Sequence, residues 1–358
     1  MDGISNIATE DGGNRMRAAL LRGPDDIQAE EIDDPTGLPG GILIRVEACS
    51  ICGTDVKMWK NGHRDLTYPR ILGHEFVGVV EKVDEGTGLD IGDRVQIWPG
   101  LACGNCDPCL RGRDNQCDNV SIIGFNVDGG FAELVSLPAR SMECGGVNLV
   151  PEDLSMEEAT LAEPLACCIN GQEACDVGKG DRVLIIGAGP IGVLHSLLAR
   201  ENGAEMVLLA ESDEGRRRRA ASFSSDSVIP ADEMLQEVEE LTDREGVDVI
   251  INAAPGVEVT DELMGILRAG GRLNLFSGMP SQLSRRAIDM NAIHYGEHSI
   301  IGSYGCRSRD CRQALDLLRK GLVDTDLMFT CRIPLDSVEE GLDHYLQRKG
   351  LKSIITEF

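Results

Sequence analysis

Positive charge is scarce in this sequence. Its 358 residues hold 34 Lys+Arg against 60 Asp+Glu, a formal charge of −26, and only seven cations are lysines (57, 60, 82, 179, 320, 349 and 352). Generic nucleic-acid binding needs clustered cations to displace counterions from phosphates, so that class is excluded. Anionic membrane surfaces are disfavoured on the same ground. A long apolar run is also missing. The best, Val183–Ala199, carries three glycines, a proline and a histidine, and falls short of the roughly 20 apolar residues of a spanning helix. The opening MDGISNIATEDGGNR is acidic and polar, unlike a signal or transit peptide. Residues 1–15 are therefore expected to be a disordered extension of a soluble, cytoplasmic protein.

What is present is ample core material, 42% hydrophobic residues, in a length that suits two domains or one domain inserted in another. Thirteen cysteines in so long a chain do not read as the disulfide frame of a secreted mini-protein. Four of them, Cys103, Cys106, Cys109 and Cys117, stand at C-x2-C-x2-C-x7-C spacing among Gly, Asp, Asn and Pro. Such turn-forming residues let four thiolates converge on one ion. Four sulfurs make a closed, structural zinc site, whereas iron–sulfur clusters use other spacings and disulfides remain the plain alternative.

From Met16 to about Ser155 short β-rich runs such as GILIRVEACSI and FVGVVEKV alternate with turn residues, the texture of a barrel-like unit. Ser155 and Glu158 then form a capping box that opens a helix, with Pro164 set to interrupt it. From Asp181 apolar strands alternate with helical stretches, which predicts a parallel sheet covered on both faces. After about Gly302 the chain is expected to return to the first unit, making the βαβ part an insertion.

Between strand and helix lies Gly187-x-Gly189-x-x-Gly192, a dinucleotide fingerprint. Gly187 permits the tight turn, Gly189 the approach of a pyrophosphate, and Gly192 close packing of helix on strand. Glu211 ends the next strand, where its carboxylate would meet ribose hydroxyls and repel a 2′-phosphate, favouring NAD. The arginines 216–219 argue either for holding a 2′-phosphate or for a solvated helix face. Cys52, the adjacent pair His74 and Glu75, and Glu163 together supply a mixed S/N/O set that suits a catalytic zinc with an exchangeable position. His74 and Glu75 stand at the mouth of the apolar run FVGVV, where two polar groups need a compensating partner.

The GHE at 73–75, the four-Cys lobe and the GAGPIG turn, in this order, resemble the zinc-dependent medium-chain dehydrogenase/reductase family over Met16–Phe358. CGTDV and GSYG look similar to threonine dehydrogenases, LAEPLACCING to sugar-alcohol and cyclitol dehydrogenases. The resemblance implies an α/β architecture: a GroES-like β-rich catalytic domain (16–163 and 303–358) with an inserted Rossmann doubly wound parallel sheet (164–302). It implies two zinc ions per chain and NAD, in a homo-oligomer, dimer or tetramer, that acts on a small-molecule alcohol. Cys52, His74 and Glu75 would hold the catalytic zinc, with Glu163 a fourth ligand or the partner of a water. Thr54 would pass the substrate proton outward. NAD would lie along Pro190, Ile191, Glu211, Arg216 and the stretch Phe276, Ser277, Gly278, with Ser303 and Tyr304 on the nicotinamide side.

Two departures stand out. Lys57 replaces the family's frequent His, so it either relays protons, anchors an anionic substrate or points to solvent. Tyr304-Gly305-Cys306 replaces the Phe-Arg-Tyr of sorbitol dehydrogenases. The activity expected is oxidation of a secondary alcohol of a polyol, sugar or cyclitol. L-Threonine 3-dehydrogenase is the rival within the class, and a zinc-bearing scaffold without catalysis the rival outside it.

Overall fold

The computed structural model describes residues 14–37, 39–84, 86–223 and 225–358. Most of the extension expected at 1–15 lies outside the described residues. Arg15, assigned to it from the sequence, instead opens the first strand, Arg15–Gly23, by pairing with Asp33.

The β-rich unit is built on the strand Ile42–Ser50. Glu75–Val83 and Leu134–Leu137 pair with it, and so does Lys352–Glu357 from the far end of the chain, with Ile354 opposite Ser50. The chain therefore returns to its first sheet after the insertion, and the last strand becomes a neighbour of the segment that leads into Cys52. The sheet continues from Lys352–Glu357 to Phe329–Pro334 on one side and from Glu75–Val83 to Arg94–Ile97 and Val147–Leu149 on the other.

The inserted unit is a six-stranded sheet in the order Ser227–Pro230, Met206–Glu211, Arg182–Ile186, Val247–Asn252, Leu267–Leu275, Ser299–Gly302, parallel throughout. This is the doubly wound dinucleotide order, whose crevice opens at the carboxyl ends of the central strands. Those strands are buried on both faces, which explains their unbroken apolar runs.

The helix expected from Ser155 is two helices. Ser155 Oγ accepts from the Glu158 N–H and Glu158 reaches back to Ser155, so the capping box forms, but that helix ends at Ala159. A second helix runs Ala162–Ala174 and takes Pro164 in its first turn, where a missing N–H leaves no helical bond unmade. Glu163 thus stands at a helix start, not in mid-helix. Its neighbour in space is the helix Pro190–Glu201, against which it packs through a buried polar contact: Gln172 Nε2 donates to the His195 carbonyl at 2.8 Å.

His195 is wholly buried, with Phe276 edge-on at 4.6 Å, and burial alone pushes its imidazole down to about 3. A histidine depressed below its unfolded value near 6.5 stabilises the fold fully only above that value. Stability is lost as pH falls below 6.5 because the unfolded chain takes up the proton first. The loss should reach about 1.4 kcal/mol at pH 5.5. Unfolding midpoints measured from pH 7.5 to 5.5 should fall more steeply for the wild type than for His195→Gln, and parallel curves would refute this.

Candidate functional site

Among the described residues, three groups of ligand atoms converge to within 4.8 Å. The first is the predicted lobe, Cys103, Cys106, Cys109 and Cys117. A two-stranded clasp, Gly100–Leu101 against Ser121–Ile122, closes it, and Gly104 and Gly112 turn the chain with φ of 73° and 69°. Cys117 Sγ accepts N–H bonds from Cys103 at 3.2 Å and Asn119 at 3.3 Å, and Cys106 Sγ stands 3.4 Å from Cys109 Sγ. Backbone N–H groups of Asn105 and Cys106 bring the Cys103 thiol down to about 6, while burial and the Cys106 sulfur push Cys109 up to about 12. Four adjacent thiolates repel one another, so all four ionise together only around a cation. All thirteen cysteines are free thiols.

The second group is Cys52, His74 and Glu75. Cys52 caps the helix Gly53–Asn61, which sets its side chain at the helix N-terminus. Its own N–H is held by Asp55 Oδ2 at 2.8 Å. Gly73, at φ 92°, turns the chain into the strand that begins at Glu75. A Cβ there would meet the Phe131 ring at 2.5 Å. His74 then lies with Nδ1 3.2 Å from Asp55 Oδ1, leaving Nε2 for a metal. Burial disfavours a charged imidazole, but Asp55 and Cys52 outweigh it and raise His74 well above its ordinary value.

Glu75 has two partners that the sequence reading missed. Its Oε2 accepts from Ser50 Oγ and lies 2.5 Å from Lys352 Nζ, both charged side chains being almost fully buried. Lys352 Nζ also reaches the Ile51 carbonyl at 3.4 Å. Asp55 was missed as well. Two signals were available: a rare lysine at the start of the apolar strand Lys352–Glu357, and an acid three residues after a candidate ligand.

Glu163 joins neither group. Its Oε1 lies 3.6 Å from Cys167 Sγ and 3.9 Å from Cys306 Sγ, and these three residues form the third cluster. Burial, with Glu75 nearby, raises its carboxyl to about 7 against the opposing pull of His74 and Lys352. Thr54 is half-buried in the first turn after Cys52. Lys57 is exposed, because Asp55, Val56, Met58 and Trp59 take the inward face of the same helix, and it does not join the cluster.

The fingerprint forms as its glycines require. Gly187 has φ 104°, and a Cβ on Gly192 would stand 1.7 Å from the Gly187 carbonyl oxygen. Gly189 and Pro190 start the helix, with open space before Gly189 except for Arg216 Nη1, 3.8 Å from where a Cβ would be. Glu211 Oε2 accepts from Ala188 N–H at 2.9 Å, and Oε1 from the Ser212 and Asp213 N–H groups. Burial raises the Glu211 carboxyl, but these donors and Arg216 hold it below the usual range. Oε2 keeps a lone pair free.

The four arginines divide. Arg217 is committed to the Glu211 and Ser212 carbonyls, Arg218 pairs with Glu214, and Arg219 donates to the Lys349 carbonyl. Only Arg216 faces the glycine turn, its Nε buried without a partner. Beyond Glu211, a 360 Å³ cavity is lined by Ala231, Met234, Val257 and Thr260 among others.

On the opposite side the expectations divide too. The Phe276 ring turns inward onto His195, leaving Ser277 and Gly278 at the strand end, where the Ser277 N–H donates to the Asn252 carbonyl. Ser303 Oγ donates to Asn274 Oδ1 at 2.9 Å. Tyr304 is 62% exposed, and its carbonyl accepts from Asn115 in the cysteine lobe. The Ile191 carbonyl accepts from the Cys168 thiol at 3.7 Å, so the helix that carries Glu163 also touches the fingerprint helix.

Comparison with known proteins agrees with this geometry. The alcohol dehydrogenase GroES-like domain family matches residues 38–144 and the zinc-binding dehydrogenase family residues 190–320. L-Threonine 3-dehydrogenase of Pyrococcus furiosus is 35% identical over 93% of this chain and 95% of its own. Sorbitol dehydrogenase of Bacillus subtilis is 29% identical over 94% of this chain and 95% of its own. A zinc-binding dehydrogenase structure from Sinorhizobium meliloti, bound to NADP, superposes with a TM-score of 0.86 at 30% identity, covering 96% of this chain and 99% of that one. The chain belongs to the zinc-dependent medium-chain alcohol dehydrogenase family.

Proposed function

We propose that this chain is a zinc- and NAD-dependent dehydrogenase that oxidises a secondary alcohol of a polyol, sugar or cyclitol. The observation that carries the reading is the convergence of Cys52, His74 and Glu75 within 4.8 Å, beside a helix that also touches the dinucleotide turn. One sulfur, one imidazole nitrogen and one carboxylate oxygen fit a catalytic zinc with a position left for substrate. The four-Cys lobe fits a second, structural zinc.

Bound zinc supplies Lewis-acid polarisation of the alcohol oxygen, and NAD accepts the hydride. The chain's own residues prepare that chemistry. Asp55 fixes the His74 ring, and Ser50 with Lys352 fixes the inner oxygen of Glu75. Glu163, with a carboxyl near 7, holds or releases a proton at working pH. Thr54 passes the substrate proton to water, since Lys57 is exposed on the other face of the helix. Gly187, Gly189 and Gly192 admit the pyrophosphate, with Arg216 alongside, and Glu211 Oε2 accepts from the ribose.

The β-rich unit, 16–163 with 303–358, carries the metal chemistry, and 164–302 holds the dinucleotide. Thirteen free thiols suit a reducing cytosol. The chain assembles with copies of itself: Ser299–Gly302 is an open sheet edge that carries exposed Ile300 and follows exposed Tyr295. No helix among the described residues is long and apolar enough to cross a membrane.

Coenzyme reduction across polyols, cyclitols, sugar phosphates and L-threonine, with zinc counted on the same sample, tests the reading. Two zinc per chain and NAD reduction on a polyol or sugar alcohol are expected. One zinc, or no reduction on any alcohol, overturns it. The 35% identity to a threonine dehydrogenase favours L-threonine as the second reading, which the same panel decides.

Cofactor choice is a separate test. Glu211→Ser should raise the KM for NAD and lower the NAD-to-NADP ratio of kcat/KM by about tenfold or more, because a carboxylate facing a 2′-phosphate is removed and Arg216 remains. A wild type that prefers NADP would refute the assignment of Glu211.

A further inference from the structure

Glu163 and Cys167 stand four residues apart on the helix Ala162–Ala174, one turn apart on the same face. Cys306, beyond the last parallel strand, meets them. Its Sγ lies 3.9 Å from Glu163 Oε1, Cys167 Sγ lies 3.6 Å from the same oxygen, and the three donor atoms fall within 4.8 Å of one another. Cys311, fully buried on the helix Ser308–Arg319, stands outside this convergence. A tetrahedral ion with sulfur at about 2.3 Å and oxygen at about 2.1 Å sets an S···O edge of about 3.6 Å. The Cys167 separation of 3.6 Å equals that edge, and the Cys306 separation of 3.9 Å lies a few tenths of an ångström beyond it.

We propose that Glu163, Cys167 and Cys306 form a further metal position for a thiophilic divalent cation, distinct from the set Cys52, His74 and Glu75 and from the four-Cys lobe. Soft sulfur donors with one carboxylate select zinc or cadmium over magnesium or calcium. Each thiol releases its proton to solvent as its sulfur takes the ion, and no electron moves. The position fills when the cation is in excess over the other two sites. Occupancy ties up the Glu163 carboxylate beside the catalytic group, so it also blocks turnover. That last consequence rests on the dehydrogenase reading, whereas the binding itself does not.

Metal counts separate the two. Purified holoenzyme is dialysed first against zinc-limited buffer and then against excess zinc, and its metal is measured in each. The wild type should gain one further equivalent and lose activity. The Cys167→Ala/Cys306→Ala double variant should gain none, keep the zinc held in limited buffer, and need about tenfold more zinc for half-inhibition. No gain in the wild type, or an equal gain in both proteins, overturns the proposal and leaves two thiols that merely donate to a buried carboxylate. A gain without inhibition overturns only the blocking role. Should the double variant fail to fold, wild-type crystals soaked in cadmium decide: an anomalous peak between Glu163, Cys167 and Cys306 supports the site, and its absence rejects it.

Discussion

Replacing Cys52 with serine is expected to lower kcat/KM by about 10³-fold or more while leaving a folded protein that still binds NADH. Its sulfur is one of three converging donors and the only soft one among them. Removing it weakens the metal that polarises the alcohol, an effect of several kcal/mol, and each 1.36 kcal/mol is tenfold in rate. NADH binding should survive because the glycine turn and Glu211 belong to the other unit. The zinc count should drop from two to one, with the thermal midpoint nearly unchanged, since an open site contributes less to folding than the four-Cys lobe. A variant that retained both zinc ions and most of its activity would remove Cys52 from the catalytic set.

Lys352→Met should destabilise the metal-free protein by about 3–5 kcal/mol, the usual cost of leaving one partner of a buried ion pair uncompensated. Glu75 and Lys352 are both almost wholly shielded from water, so screening by solvent offers little relief. Ser50 Oγ remains as a donor but carries no charge. Zinc should recover part of the loss, because a cation at Cys52 and His74 restores a positive partner for Glu75. Chemical denaturation with and without zinc measures both quantities. A loss under about 1 kcal/mol in the metal-free protein would show that Glu75 does not depend on Lys352. Lys352→Arg should recover only part of the loss, since a planar guanidinium is shaped differently from the compact ammonium that meets both Glu75 and the Ile51 carbonyl.

Much of the site was legible because its chemistry is written in local spacing. The cysteines at 103, 106, 109 and 117 need only short turns to converge, so their pattern along the chain predicts their cluster in space. The glycines at 187, 189 and 192 are legible for the same reason: a single strand–turn–helix contains the whole device, and the steric need for each glycine arises within it. Glu211 follows one strand later. The adjacency of His74 to Glu75 and the helix cap at Cys52 also belong to short segments.

Other residues were not legible because their meaning depends on burial and on contacts that local spacing does not encode, some of them across hundreds of positions. Lys352 matters only because the last strand returns to pair with Ile42–Ser50 and lays its ammonium against Glu75, and strand pairing at such separation leaves no periodic trace. Glu163 read as a zinc ligand or water partner by position. The helix that starts at Ala162, together with Cys306 from beyond the inserted sheet, sets two thiols against its carboxylate. Lys57 carried three readings in the sequence, and the inward packing of Trp59 and Val56 left it in solvent. The arginines 216–219 separated only once carbonyls from Glu211, Ser212 and Lys349 had claimed two of them. The sequence by itself thus determined the family, the four-cysteine lobe and the glycine turn, since each is a short-range arrangement of donors or glycines. Tertiary structure alone decided which charge balances Glu75, which groups face Glu163 and which arginine faces the glycine turn, because burial and strand pairing choose those partners.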